Sequence, residues 1–282
     1  MPIKRQFNRE PAAVDKIAII QARMGSSRLL GKVLKDIAGK PMLFHVLERV
    51  SHASLLDGIL VAATSDVSDD PIADFCQVGG FQCYRGSQFD VLDRFYTAAL
   101  QVNAGTIVRI TADCPLIDPS LIDQLLVEFE NSTLDFASNR LPPPFKRTFP
   151  IGLDIEICSF AALERAWKEA DQPHQREHVM PYLYEDAILK KVDATHAFGT
   201  GSRGFKVLLL DHVPDLGDLR WTVDTPQDLE FVREVFSKFP GRNDFSWLEV
   251  LDLVQTNPEL SLINADVHHK NLLDIDERNQ KN

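Results

Sequence analysis

An α/β fold with a mainly parallel central sheet, helices on both faces and a mixed second half is predicted by three observations. From Lys16 to about Asn139, short β-rich runs alternate with helical patterns. The intervening segments are long enough for crossover helices, and each helical pattern carries an apolar face at the right period.

The first strand is expected over residues 17–22, with further strands at 59–63, 81–84, 106–111 and 135–137. Between them, Met42, Leu43, Val46, Leu47 and Val50 share one helical face, and Val91, Leu92, Phe95, Ala98, Ala99 and Val102 share another. Residues 141–150 contain Pro142, Pro143, Pro144 and Pro150, which neither a helix nor a central strand accommodates, so a loop or lid is expected there. Beyond it the pattern predicts a strand at 153–158, helices at 161–170 and 177–184, and strands at 188–192 and 206–210. Thr225, Pro226 and Asp228 form a helix start, and Leu229, Val232, Val235 and Phe236 give that helix its apolar face. A last helix is expected at 245–254. The chain therefore divides into an arm (1–15), one domain (16–255) and a polar tail (256–282).

Composition narrows the function. The 282 residues are 44% apolar and 25% charged, enough for a proper core, and no run approaches the roughly 18 apolar residues of a membrane span. The 30 Lys and Arg against 41 Asp and Glu leave a net charge of −11, which disfavours nucleic acid and anionic membranes as partners. An anionic ligand must then meet a local basic cluster. Cys76, Cys83, Cys114 and Cys158 show neither C-x-x-C nor zinc spacing and read as reduced thiols, mostly buried. The first fifteen residues lack the apolar core of a secretory signal, so a cytoplasmic address is expected.

That basic cluster stands directly after the first strand, in QARMGSSRLLGKVL (residues 21–34). Gly25 allows close backbone approach, Ser26 and Ser27 can donate to phosphate oxygens, and Arg23, Arg28 and Lys32 supply positive charge. The strand's carboxyl end is where α/β sheets bind ligands. The spacing excludes a Walker A loop, because Gly25 and Gly31 bracket five residues and Val33 follows the lysine. A basic surface loop is the competing reading. Asp113 and Asp224 stand at strand exits, where a divalent cation could use them; a turn before Pro115 and a helix N-terminus are their plainer roles.

The loop resembles the A-R-x-G-S-x-R-L-P-G-K signature of sugar cytidylyltransferases, most closely the spore coat polysaccharide biosynthesis protein F type, related to the acylneuraminate and 3-deoxy-manno-octulosonate enzymes. The resemblance continues through YRGSQFDVLDRF (84–95), RITADCPLID (109–118), GLDIEICSFAALERA (152–166), REHVMPYLY (176–184), LRWTVDTPQDLEFV (219–232) and INADV (263–267). Leu30 replaces the usual proline, and Thr111 stands where the related enzymes carry a glutamine ahead of the first aspartate, so base or sugar recognition is expected to differ.

The resemblance implies a nucleotide-diphospho-sugar transferase (Rossmann-like) fold. It also implies transfer from CTP to a sugar or sugar-acid hydroxyl with release of pyrophosphate, for surface polysaccharide biosynthesis. By position in the motifs, Arg23, Arg28 and Lys32 match triphosphate contacts, Gly25, Ser26, Ser27 and Arg85 fall in the nucleotide-binding segments, and Asp113 and Asp224 match ligands of Mg2+. A homodimer is left open. Asp90 could contact ligand or cap the following helix, and Asp154 and Glu156 could meet sugar hydroxyls or solvent. Arg176, Glu177 and His178 could line the sugar pocket or belong to an ordinary helix. Two rivals are a glycosyltransferase of the same fold, whose D-x-D would fall only at Asp274 and Asp276, and a non-catalytic nucleotide-binding protein.

Overall fold

The computed structural model describes residues 15–268. The arm expected at 1–15, apart from Asp15, and the tail from 269 onward, with Asp274 and Asp276, lie outside the described residues.

In chain order, β1 (Lys16–Gln21) leads through the basic loop to the short hairpin β2 (Asp36–Ile37) and β3 (Lys40–Pro41), then α1 (Met42–Val50). Next come β4 (Gly58–Thr64), α2 (Asp70–Gly79), β5 (Gln82–Gly86), α3 (Val91–Gln101), β6 (Thr106–Thr111), α4 (Pro119–Asn131) and β7 (Phe136–Ser138). The second half holds β8 (Glu156–Ser159), α5 (Phe160–Glu169), α6 (Pro173–His178), α7 (Pro181–Tyr184), β9 (Ile188–Lys191), β10 (His196–Thr200), β11 (Lys206–Leu210), α8 (Pro226–Ser237), α9 (Trp247–Thr256) and α10 (Glu259–Leu262).

Among the described residues, nine strands form one sheet in the order β5-β4-β1-β6-β8-β7-β11-β10-β9. The block β5-β4-β1-β6 is parallel, as the alternating first half requires, and β8 enters antiparallel between β6 and β7. Strand alternation splits the core: Ala18 and Ile20 of β1 pack with α1, α4, α8 and α9, whereas Ile17 and Ile19 pack with α3, α5 and α7. Helices thus cover both faces.

Local differences from the sequence expectation have identifiable causes. The strand expected at 153–158 starts later, because Asn139 draws the segment before it into a loop: its amide donates to Leu153 O at 2.7 Å and accepts from Ile155 N at 2.9 Å. The helix expected at 177–184 is two short helices. Val179 breaks them at φ 71°, and Pro181 opens the second, where its missing N–H costs nothing. Strand β10 was not expected; Gly199 lets it lie against β9, since an added Cβ would sit 2.1 Å from Ile188 O. The chain beyond residue 255, expected as tail, continues as α10, with Leu260 and Asn264 buried.

Candidate active site

The basic loop leaves β1 and closes on itself, with Gly31 N donating to Met24 O at 3.0 Å. Gly31 holds φ 66°, the left-handed region that glycine enters without strain, and from it the chain starts a short 3-10 turn, Lys32–Leu34. Leu30, in the proline position, is 77% exposed, so the replacement disturbs no packing.

This turn delivers Lys32 to the crevice. Its Nζ donates to Asp113 Oδ2 at 2.7 Å, Asp224 Oδ1 at 2.8 Å and Val223 O at 3.0 Å. Arg28 pairs with Asp224 Oδ2 at 3.0 Å. Asp113 follows the exit of β6, whereas the strand expected at 221–223 is instead irregular chain leading into α8, and Asp224 stands just before that helix. The backbone stitches the two segments together, because Val223 N and Thr222 Oγ1 both donate to Asp113 O, at 2.8 and 3.1 Å. The cationic loop and the acid pair therefore face each other across one crevice.

Burial pushes the Asp224 carboxyl up, but Lys32, Arg28 and Arg220 outweigh it and hold the group well below the usual carboxylate range. Burial likewise pushes Lys32 down, and Asp113 with Asp224 more than restores it, so the ammonium stays charged. Behind Asp224 stands a support that the sequence showed only as a helix cap. Asp228 accepts from Arg220 Nε at 2.8 Å, Asn264 Nδ2 at 3.0 Å and the backbone N–H groups of Asp224 and Thr225 at 2.9 Å each. Arg220 in turn donates to Asp224 Oδ2 at 2.8 Å.

Asp69 is a second support that sequence reasoning missed. It is buried, accepts from Met24 N at 2.7 Å through one oxygen, and bonds Thr64 N and Oγ1 at 3.0 and 2.6 Å through the other. It thus ties the basic loop to the end of β4. Nothing in the run SDVSDD (65–70) singles out Asp69 for this role. Arg85 strengthens the same tie from β5, donating to Thr64 O at 2.9 Å and Asp66 O at 2.7 Å while pairing with Asp70 at 2.7 Å. These bonds give Arg85 a part in holding that loop.

The remaining expected residues divide as follows. Arg23 and Ser27 are exposed on the basic loop, Gly25 and Ser26 half-buried, and Ser26 Oγ accepts from Leu29 N at 3.3 Å. Asp90 caps α3 through Asp93 N at 2.9 Å and also binds Arg176, at 3.0 and 3.1 Å to its Nε. Glu156 pairs with Arg109, which also donates to Gln21 Oε1 at 2.8 Å, and Asp154 pairs with Arg147. The four thiols are free, with Cys83 half-buried and the others buried. No helix among the described residues is long and apolar enough to cross a membrane.

The donor set suits a hard divalent cation. Two carboxylates already grip one positive group, the Lys32 ammonium, and magnesium commonly takes one or two carboxylates with phosphate and water oxygens. Among the described residues no three His, Cys, Asp or Glu side chains cluster to hold a metal by themselves. A nucleotide would have to complete the shell.

Comparison with known proteins bears on what the crevice is for. The Cytidylyltransferase family model matches residues 17–216. An uncharacterized protein of Methanocaldococcus jannaschii is 35% identical over 93% of this chain and 99% of its own length. The spore coat polysaccharide biosynthesis protein SpsF of Bacillus subtilis is 28% identical over 87% of this chain and 96% of its own. Among solved structures, a cytidylyltransferase from Leptospira borgpetersenii superposes with TM-score 0.78 at 30% identity, covering 91% of this chain and 100% of that one.

Proposed function

The chain belongs to the cytidylyltransferase family, and from that premise we propose that it activates a sugar or sugar acid with CTP, releasing pyrophosphate, in the synthesis of a surface polysaccharide. One observation carries the reading: a lysine of the phosphate-type loop bonds two aspartates distant in sequence, one after β6 and one before α8, with Arg28 beside it.

The acceptor hydroxyl oxygen forms a bond to the α-phosphorus and gives up its proton to water, while the bond from that phosphorus to the pyrophosphate oxygen breaks. Negative charge grows on the phosphate oxygens and the leaving group, so fixed positive charge in a partly buried crevice is the largest lever available. Lys32, Arg28 and Arg23 bind triphosphate oxygens and offset that charge, and Gly25, Ser26 and Ser27 let the loop backbone approach them. Asp113 and Asp224 would hold Mg2+, which would supply further charge stabilisation at the reacting phosphate. Asp228 and Arg220 keep Asp224 aimed, while Asp69 ties the basic loop to the end of β4, which Arg85 bonds from β5. No covalent enzyme intermediate is needed. The work is positioning and electrostatics.

A panel of nucleoside triphosphates against sugars and sugar acids, followed for pyrophosphate with and without magnesium, tests the proposal. Release that requires CTP, an acceptor and magnesium is expected. Transfer from a preformed sugar nucleotide would favour a glycosyltransferase, and nucleotide binding without turnover would favour a non-catalytic protein.

A further inference from the structure

We propose that Lys32 is a placeholder cation: its ammonium and a divalent ion compete for the same oxygens of Asp113 and Asp224, so the metal binds tightly only together with the triphosphate that draws the ammonium away. The inference rests on the reading of these aspartates as metal ligands given above.

The oxygens of the pair are divided in a way that leaves little choice. Asp113 Oδ1 accepts from the Thr111 hydroxyl at 2.5 Å, and Asp224 Oδ2 accepts from Arg28 at 3.0 Å and Arg220 at 2.8 Å. The oxygens that converge on a common point are Asp113 Oδ2 and Asp224 Oδ1, and Lys32 holds both. Magnesium binds oxygen at roughly 2.0–2.1 Å and cannot share that pair with an ammonium without strong repulsion.

Charge makes the same point. Arg28, Lys32 and Arg220 already balance Asp113, Asp224 and Asp228, so a divalent ion arriving alone would add uncompensated positive charge to a crevice where Lys32 is 12% exposed. Arriving with a triphosphate, it brings its own counter-charge. Lys32 also needs somewhere to go, since a partly buried ammonium that leaves two carboxylates must find other anions. The phosphates are the partners that its flexible four-carbon stem, based on a short 3-10 turn in the same loop, is placed to meet. Lastly, among the described residues no third His, Cys, Asp or Glu joins this pair to hold a metal unaided. Metal and nucleotide affinities are therefore coupled, and Lys32 sets much of the coupling.

Mn2+ serves as the probe, its binding read by electron paramagnetic resonance with and without a non-hydrolysable CTP analogue, after subtracting binding to the analogue itself. Coupling free energies between sites usually correspond to about 5–150-fold, and the wild-type protein is expected to bind Mn2+ at least about tenfold tighter with the analogue. In Lys32→Met, Mn2+ alone should bind tighter than to the wild type, and the ratio of affinities with and without analogue should shrink. The proposal is overturned if the wild type binds Mn2+ equally well in both conditions, or if folded Lys32→Met binds Mn2+ alone no more tightly. Lys32→Gln gives a polar second variant should Lys32→Met fail to fold, and the wild-type comparison depends on neither.

Asp113→Asn separates the premises. If it leaves nucleotide-dependent Mn2+ binding intact, the metal lies elsewhere and both the placeholder and the metal assignment fall. Wild-type pyrophosphate release, measured in parallel, reports on the cytidylyltransferase reading by itself.

Discussion

Replacing Asp228 with Asn tests how far the crevice depends on a residue that touches none of the expected substrates. The carboxylate is fully buried, pairs with Arg220, and accepts the N–H groups of Asp224 and Thr225. Asparagine preserves the shape but removes the charge and turns an NH2 toward groups that need an acceptor. Breaking a buried ion pair costs about 3–5 kcal/mol, and the bond that Arg220 keeps to Asp224 Oδ2 places this loss toward the lower end. At about 2–4 °C per kcal/mol for a domain of this size, the melting temperature should drop by roughly 6–20 °C. Urea unfolding followed by circular dichroism gives the free energy, and a parallel kcat shows whether Asp224 has lost its aim. A loss below about 0.5 kcal/mol, the level of an indifferent surface substitution, would refute the keystone role. The pH dependence has a definite sign. Burial pushes the Asp228 carboxyl up, but bonds from Arg220 and Asn264 outweigh it, so the folded value lies below the ordinary one. Its contribution to stability is therefore complete above about pH 4 and is lost as the pH falls below that, a loss that Asp228→Asn should no longer show.

Other outcomes follow from the same geometry. Asp113→Asn should lower kcat by about a hundredfold or more while changing stability far less, and equal losses of turnover and stability would count against a metal role. Asp69→Ala should raise KM for CTP by about tenfold or more by loosening the basic loop, and unchanged CTP saturation curves would rule that out. Leu30→Pro, at an exposed position, should stabilise the chain by about 0.4–1 kcal/mol with activity retained; thermal melts and initial rates check both, and lost activity would mean that the loop requires the freedom leucine allows.

Much of the first half, and the start of α8 in the second, was legible because the signals are local. An apolar run such as Ile17 to Ile20 between two covering layers, helical faces such as Met42 to Val50, and the Thr225 and Asp228 capping box all act within a few residues, where chain geometry alone sets the spacing. The cations of residues 21–34 were visible because an acidic chain that concentrates positive charge after its first strand has few plainer uses for it. What no local pattern could contain is partner choice. Lys32 meets Asp113 across 81 residues and Asp224 across 192, β8 slips antiparallel between β6 and β7, and Asn264 returns to brace Asp228. Those pairings are decided by sheet register and by the cost of leaving buried charge unmatched, and both come into being only when distant segments pack.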